Sequence, residues 1–83
     1  MKVNDVLSVY PNPAKEFVTI NMPSTQGKIS TIEVVDVIGR SMINENVNAH
    51  SCQINTATLN KGIYFVRVTL ENGKSGVKRL VIE

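Results

Sequence analysis

The sequence predicts an all-β fold, an antiparallel sandwich of about seven short strands, and three observations lead there. Apolar and polar residues alternate with a period of two along most of the chain, and no apolar run at helical spacing continues for about three turns without a breaker. Val and Ile dominate the apolar set. Two heavy atoms on Cβ suit a pleated surface and restrict rotamers in a helix. Clusters of Pro, Asn, Gly and Ser interrupt the alternation every 8–12 residues or so, roughly the spacing of a sandwich.

Strands are expected, in chain order, over Val6 to Tyr10, Phe17 to Met22, Ile29 to Asp36, Arg40 to Val47, Ser51 to Asn55, Gly62 to Glu71 and Ser75 to Ile82. Between them lie Pro11-Asn12-Pro13, Pro23-Ser24-Thr25-Gln26-Gly27, Val37-Ile38-Gly39, Asn48-Ala49-His50 and Asn60-Lys61. Asp36-Val37-Ile38-Gly39-Arg40 reads as a type I turn closed by a glycine bulge, with Asp36 capping the turn and Gly39 left-handed. Asn72-Gly73 reads as a two-residue type I′ hairpin that pairs the last two strands.

Alternation assigns the inward faces. Tyr64, Val66, Val68 and Leu70 point to the core, opposite Ile63, Phe65, Arg67 and Thr69; Val18 with Ile20, and Ile32 with Val34, do the same on their strands. In the last strand Leu80 and Ile82 face inward on the Lys78 side, whereas Val77, Arg79 and Val81 face out. The layering expected is Ig-like, with no helix longer than a single turn.

A chain of 83 residues is one domain and buries about 60–65% of its unfolded surface. With 42% apolar residues, no Trp, two Tyr and two Phe, its core must be aliphatic. The net charge of +2 is dispersed, which argues against a nucleic-acid surface. No apolar run reaches the roughly 18–20 residues of a spanning helix, and the start of the chain lacks the apolar stretch of a secretory signal. The chain is therefore expected to be cytoplasmic or a piece of a longer protein whose targeting signal lies elsewhere. Cys52, the single cysteine, leaves the redox compartment open.

Catalytic chemistry finds few candidates. His50 and Cys52 would share a strand face, but no third group orients them and two side chains fall short of a zinc site. A loop His and a half-buried thiol are expected instead. Glu33 and Asp36 are an odd number of positions apart, hence on opposite faces, and the glycines at 27, 39, 62, 73 and 76 are too scattered for a phosphate-cradling loop. No catalytic residue, metal or cofactor is expected. Lys74, Lys78 and Arg79 read as a solvated strand face or a charged edge.

Four motifs in order carry more: Val9-Tyr10-Pro11-Asn12-Pro13-Ala14, Val34-Val35-Asp36-Val37-Ile38-Gly39-Arg40, Leu59-Asn60-Lys61-Gly62-Ile63-Tyr64-Phe65-Val66 and Val77-Lys78-Arg79-Leu80-Val81-Ile82-Glu83. Their order and spacing resemble the type IX secretion C-terminal sorting domain of Bacteroidetes proteins, from about Val9 to Glu83. On this reading residues 1–8 hold a residual linker or appended start plus the beginning of the first strand, and 9–83 the sorting domain. Pro11, Asn12, Pro13, Asp36, Gly39, Arg40, Leu59, Gly62 and Tyr64 are then motif residues with mainly structural work: the prolines stiffen the chain and Gly62 permits a tight approach that drops Tyr64 into the core.

The resemblance implies a signal, not a catalyst. An upstream cargo domain would be carried through the periplasm to the cell surface or beyond, with Val77, Lys78, Arg79, Leu80, Val81, Ile82 and Glu83 as the segment the outer-membrane translocon reads. A sortase-like protease would remove the module at the surface. One departure is Glu83, where many members carry a basic or amide side chain. Two further expectations stand beside this: an Ig-like or fibronectin-like accessory binding module as the alternative function, weakened by aromatics that are few and mostly within strands, and a homodimer formed through edge strands.

Overall fold

The computed structural model describes residues 3–83. A one-turn helix, α1 (Val3–Val6), is followed by seven strands: β1 (Ser8–Tyr10), β2 (Phe17–Asn21), β3 (Ile29–Asp36), β4 (Ser41–Ala49), β5 (Ser51–Asn55), β6 (Gly62–Leu70) and β7 (Ser75–Ile82). They form two antiparallel sheets, β1-β2-β5 and β4-β3-β6-β7, packed as a sandwich. The seven expected strands are the seven found, with ends that move by a residue or two except at the start. Val6 closes α1 instead of opening a strand, and β4 runs on to Ala49, leaving His50 alone to carry the chain from one sheet to the other.

The core is aliphatic. Val18 and Ile20 of β2 and Ile54 of β5 face Ile32 and Val34 of β3, Val66 and Val68 of β6, and Leu80 of β7. Each such side chain contributes about 1.5–3 kcal/mol when fully buried. Tyr64, Leu70 and Ile82 are buried as the alternation required. Ile29 is buried too, although it stands three positions before Ile32 and strict alternation would turn it outward. A register shift between Ile29 and Thr31, present against both neighbouring strands, reverses the phase and brings both isoleucines inside.

The two glycine turns share one geometry. At the first, Gly39 N–H donates to the Asp36 carbonyl at 3.0 Å, Asp36 N–H donates to the Arg40 carbonyl at 3.0 Å, and Gly39 has φ +88°. At the second, Gly73 N–H donates to the Leu70 carbonyl at 3.0 Å, Leu70 N–H donates to the Lys74 carbonyl at 2.8 Å, and Gly73 has φ +89°. A type I′ turn would need positive φ at Asn72 as well, and Asn72 is not among the positive-φ residues. The expected type I′ hairpin is thus corrected to a type I turn with a glycine bulge. Asn72 Oδ1 explains the preference, because it accepts the Lys74 N–H at 2.9 Å and supports the longer turn.

Candidate functional site

A terminal strand in a sheet exposes a row of N–H and C=O groups that must find partners or invite another chain. β7 is such a strand. Its inner edge pairs with β6 from Gly62↔Ile82 to Thr69↔Ser75. Along its outer edge Val77 N–H donates to Asn4 Oδ1 at 3.0 Å, Asn12 Nδ2 donates to the Arg79 carbonyl at 2.8 Å, and Val81 N–H donates to Asn12 Oδ1 at 3.0 Å. Ala14 N–H then donates to the Val81 carbonyl at 2.8 Å, and Glu83 N–H donates to the Ala14 carbonyl at 2.9 Å.

The pattern is that of a parallel strand built from two materials. In a parallel ladder one residue bonds the carbonyl before, and the N–H after, the residue it faces. Ala14 does this with its backbone in a parallel bridge to Ile82, and Asn12 does it one step earlier with its side-chain amide. Pro11 and Pro13, each preceded by a cis peptide bond, hold Asn12 between them. Residues 11–14 are thus a strap that covers the edge of β7, and the first and last motifs of the sequence form one structure. Ala14 is fully buried and packs with the core beneath the strap.

Other motif residues serve the frame. Asp36 Oδ1 accepts Ile38 N–H at 3.0 Å and Arg40 N–H at 2.9 Å, while Arg40 Nε donates to Asp36 Oδ2 at 2.7 Å. Shielding by the turn pushes the Asp36 carboxyl up, but the backbone and guanidinium donors of Arg40, the Ile38 amide and the guanidinium charge together hold it below its ordinary value. Leu59 packs partly buried against the core. Gly62 has φ +153°, and Tyr64, two residues on, is buried with its hydroxyl donating to the Asn60 carbonyl at 2.7 Å.

On β7 Leu80 and Ile82 are buried, Val77, Arg79 and Glu83 are exposed, and Lys78 and Val81 lie half-buried. Beside the Ala14–Ile82 bridge, Lys15, Lys61, Ile82 and Glu83 line a shallow recess. Neither Lys15, Lys61 nor Arg79 has an ion-pair partner among the described residues, where the pairs are Asp36–Arg40 and Glu33–Arg67.

His50 and Cys52 do not form a reactive pair in the structure. His50 sits between the sheets' strands with its carbonyl accepting Met22 N–H at 2.7 Å, and Cys52 faces Ile20 across the β2–β5 ladder. Burial, then the charge of Glu45, pushes the Cys52 thiol pKa up, the opposite of an activated nucleophile. No cluster of three metal-ligating side chains occurs among the described residues. The aromatics stand on strands as expected, and two of them, Tyr10 and Phe17, expose 51% and 43% of their surface on the outer face of the smaller sheet.

Asn4 and Lys15 had no place in the sequence reading, and Lys61 entered it only as part of the Asn60-Lys61 turn and of the third motif. For Asn4 a signal existed in Gly76, since a glycine inside a strand marks a close approach by another segment.

The family model described as "Secretion system C-terminal sorting domain" matches residues 8–83. No curated protein matches the chain. Among solved structures the chain is similar to PorZ, described as an essential bacterial surface component of the type IX secretion system of Porphyromonas gingivalis, with 22% identity and a TM-score of 0.76. That likeness covers 95% of this chain and 12% of PorZ, so the chain spans a small part of that protein's length.

Proposed function

Since the chain belongs to the secretion system C-terminal sorting domain family, we propose that it is a non-catalytic sorting signal that takes an upstream cargo across the outer membrane by the type IX route. The family match over residues 8–83 carries this reading. The cargo passes through the periplasm, the outer-membrane translocon reads Val77 to Glu83, and a sortase-like protease removes the module at the surface. Some of the motif residues hold that segment in place: Asn12 and Ala14 bond it directly, and Tyr64 faces Leu80 across the β6–β7 ladder.

The test fuses the chain behind a reporter that carries its own inner-membrane export signal, in a host with a working type IX system. The reporter reaches the surface with the intact module and stays in the periplasm when Val77 to Glu83 is deleted. Surface delivery of the truncated fusion would end the sorting assignment. One observation favours a second reading as an accessory binding module: exposed Tyr10 and Phe17 share the outer sheet face with Gln53 and Asn55, Phe17 directly opposite Asn55 and Tyr10 across Thr19 from Gln53, the stacking and amide chemistry that holds sugars. Glycan binding lost in Tyr10→Ala and Phe17→Ala would support it, and no binding by the intact chain would remove it.

A further inference from the structure

The strap makes β7 depend on residues far away in sequence. Asn12 stands 67 residues before Arg79 and 69 before Val81, yet its amide occupies the place of a strand backbone beside them. Asn12 itself is exposed, so its side chain is not there to fill the core. An edge can be protected more simply, with a charge, a bulge or a proline in the strand itself. Here it is closed by a fitted segment that fixes the position of Arg79 to Glu83 and brings Lys15, the residue after Ala14, beside Lys61 at the rim of Ile82 and Glu83.

We propose that the surface read by the export machinery is the strapped end of β7, a composite of Pro11–Lys15, Lys61 and Arg79–Glu83 that exists only when Asn12 has closed it. Asn12 is a positioning residue: its side-chain amide bonds β7 and so sets the surface that the partner meets. The surface carries Lys15, Lys61 and Arg79 without ion-pair partners among the described residues, against Glu16 and Glu83, so it fits a protein partner that presents acidic groups. The inference rests on the sorting role proposed above. It adds that Val77 to Glu83 is read as part of a folded shape made from both ends of the module, not as a linear segment by itself.

The reporter fusion decides it, with amide hydrogen exchange on the same chain. Asn12→Ala removes both amide bonds to β7, so exchange at Val81 N–H is expected to rise about tenfold while the amides of Val66 and Leu80 stay protected. Surface delivery is expected to be lost in this variant although the fold persists. Lys15→Glu with Lys61→Glu alters two exposed side chains and no strap bond, so exchange is unchanged and delivery is again lost. Delivery of Asn12→Ala at the unaltered level, with Val81 exchange raised, overturns the composite signal. Delivery of the double lysine variant at the unaltered level overturns the acidic partner. Failure of the unaltered fusion to reach the surface would instead remove the sorting role itself, and the two failures are distinct.

Discussion

Gly76 of β7 lies so close to Asn4 of α1 that a Cβ on the glycine would sit 2.5 Å from Asn4 Oδ1, and 2.7 Å from Val3 Cγ1. The same asparagine oxygen accepts the N–H of Val77, so the helical turn is seated on the strand at this point. Val3 and Leu7 follow it into the core although they precede residue 8, where the family match begins. Gly76→Ala must push α1 away and is expected to cost about 1–3 kcal/mol, the usual penalty of overfilling a packed site. The cost should vanish in a chain that begins at Leu7, because coupled sites are not additive. Gly39→Ala offers the contrast, with open space but φ +88°, and its cost of about 1–2 kcal/mol should not respond to removal of α1. Urea unfolding of the six chains, parent, Gly76→Ala and Gly39→Ala each with and without α1, checks both statements.

What could be read from the sequence divides along a physical line. Strands and faces such as Tyr64, Val66 and Val68 are written in local alternation, which depends only on the pleat. The Asp36 turn is equally local, since cap, glycine and hairpin lie within five consecutive residues. The strap is not local: Asn12 resembles any turn asparagine until β7 is beside it. Ile29 escaped alternation through a bulge that no residue type announces, and the Asn72-Gly73 turn took its form from a side-chain bond to Lys74 N–H. The PorZ likeness confirms the layers and carries no residue role.

Tyr64 tests the assigned core face. Its ring is buried and its hydroxyl donates to the Asn60 carbonyl at 2.7 Å, four residues back across Gly62. Tyr64→Phe keeps the ring and is expected to cost about 0.5–1.5 kcal/mol through the lost bond. Tyr64→Ala empties the site and is expected to cost about 3–5 kcal/mol. Chemical denaturation distinguishes them, and a cost below about 1 kcal/mol for the alanine variant would contradict a core role.

The acid limb of stability should carry the signature of Asp36. Its folded pKa lies below the ordinary 3.8, so its stabilising effect is fully present above the unfolded value and is lost as pH falls through the folded one. Asp36→Asn removes the charge paired with the Arg40 guanidinium. The variant should be less stable than the parent at neutral pH, and the difference should shrink as pH falls below 3.8. Thermal melts of both chains from neutral pH downward measure the gap, and a constant gap would contradict the assignment.

Cys52 should be a slow thiol. Burial first, and the Glu45 carboxylate second, raises its pKa and keeps thiolate scarce at neutral pH. Alkylation by iodoacetamide is expected to be slower than for a free cysteine, to accelerate with pH beyond the ordinary thiol value of 9.0, and to quicken in Glu45→Gln. Cys52→Ser should leave surface delivery intact. Loss of delivery with folding preserved would restore a chemical role to the thiol.

Self-association, where it occurs, should run through β4. In the larger sheet β7 is covered by Asn4, Asn12 and Ala14, whereas β4, nine residues long, borders only β3. Ile32↔Glu45 and Val34↔Ile43 alternate with Glu33↔Asn44 and Thr31↔Asn46, and the Asp36–Arg40 turn bonds turn the even residues of β3 toward β4. The N–H groups of Asn44 and Asn46 therefore face outward, where a second chain can pair. Asn46→Pro removes an outward donor without removing a bond to β3, and proline is tolerated at such edge positions. Sedimentation is expected to show a concentration-dependent dimer for the parent chain and a monomer for Asn46→Pro, with circular dichroism unchanged. A dimer that survives the proline but dissociates on Asn12→Ala would place the contact at β7 and show that the strap, not the open edge, mediates it.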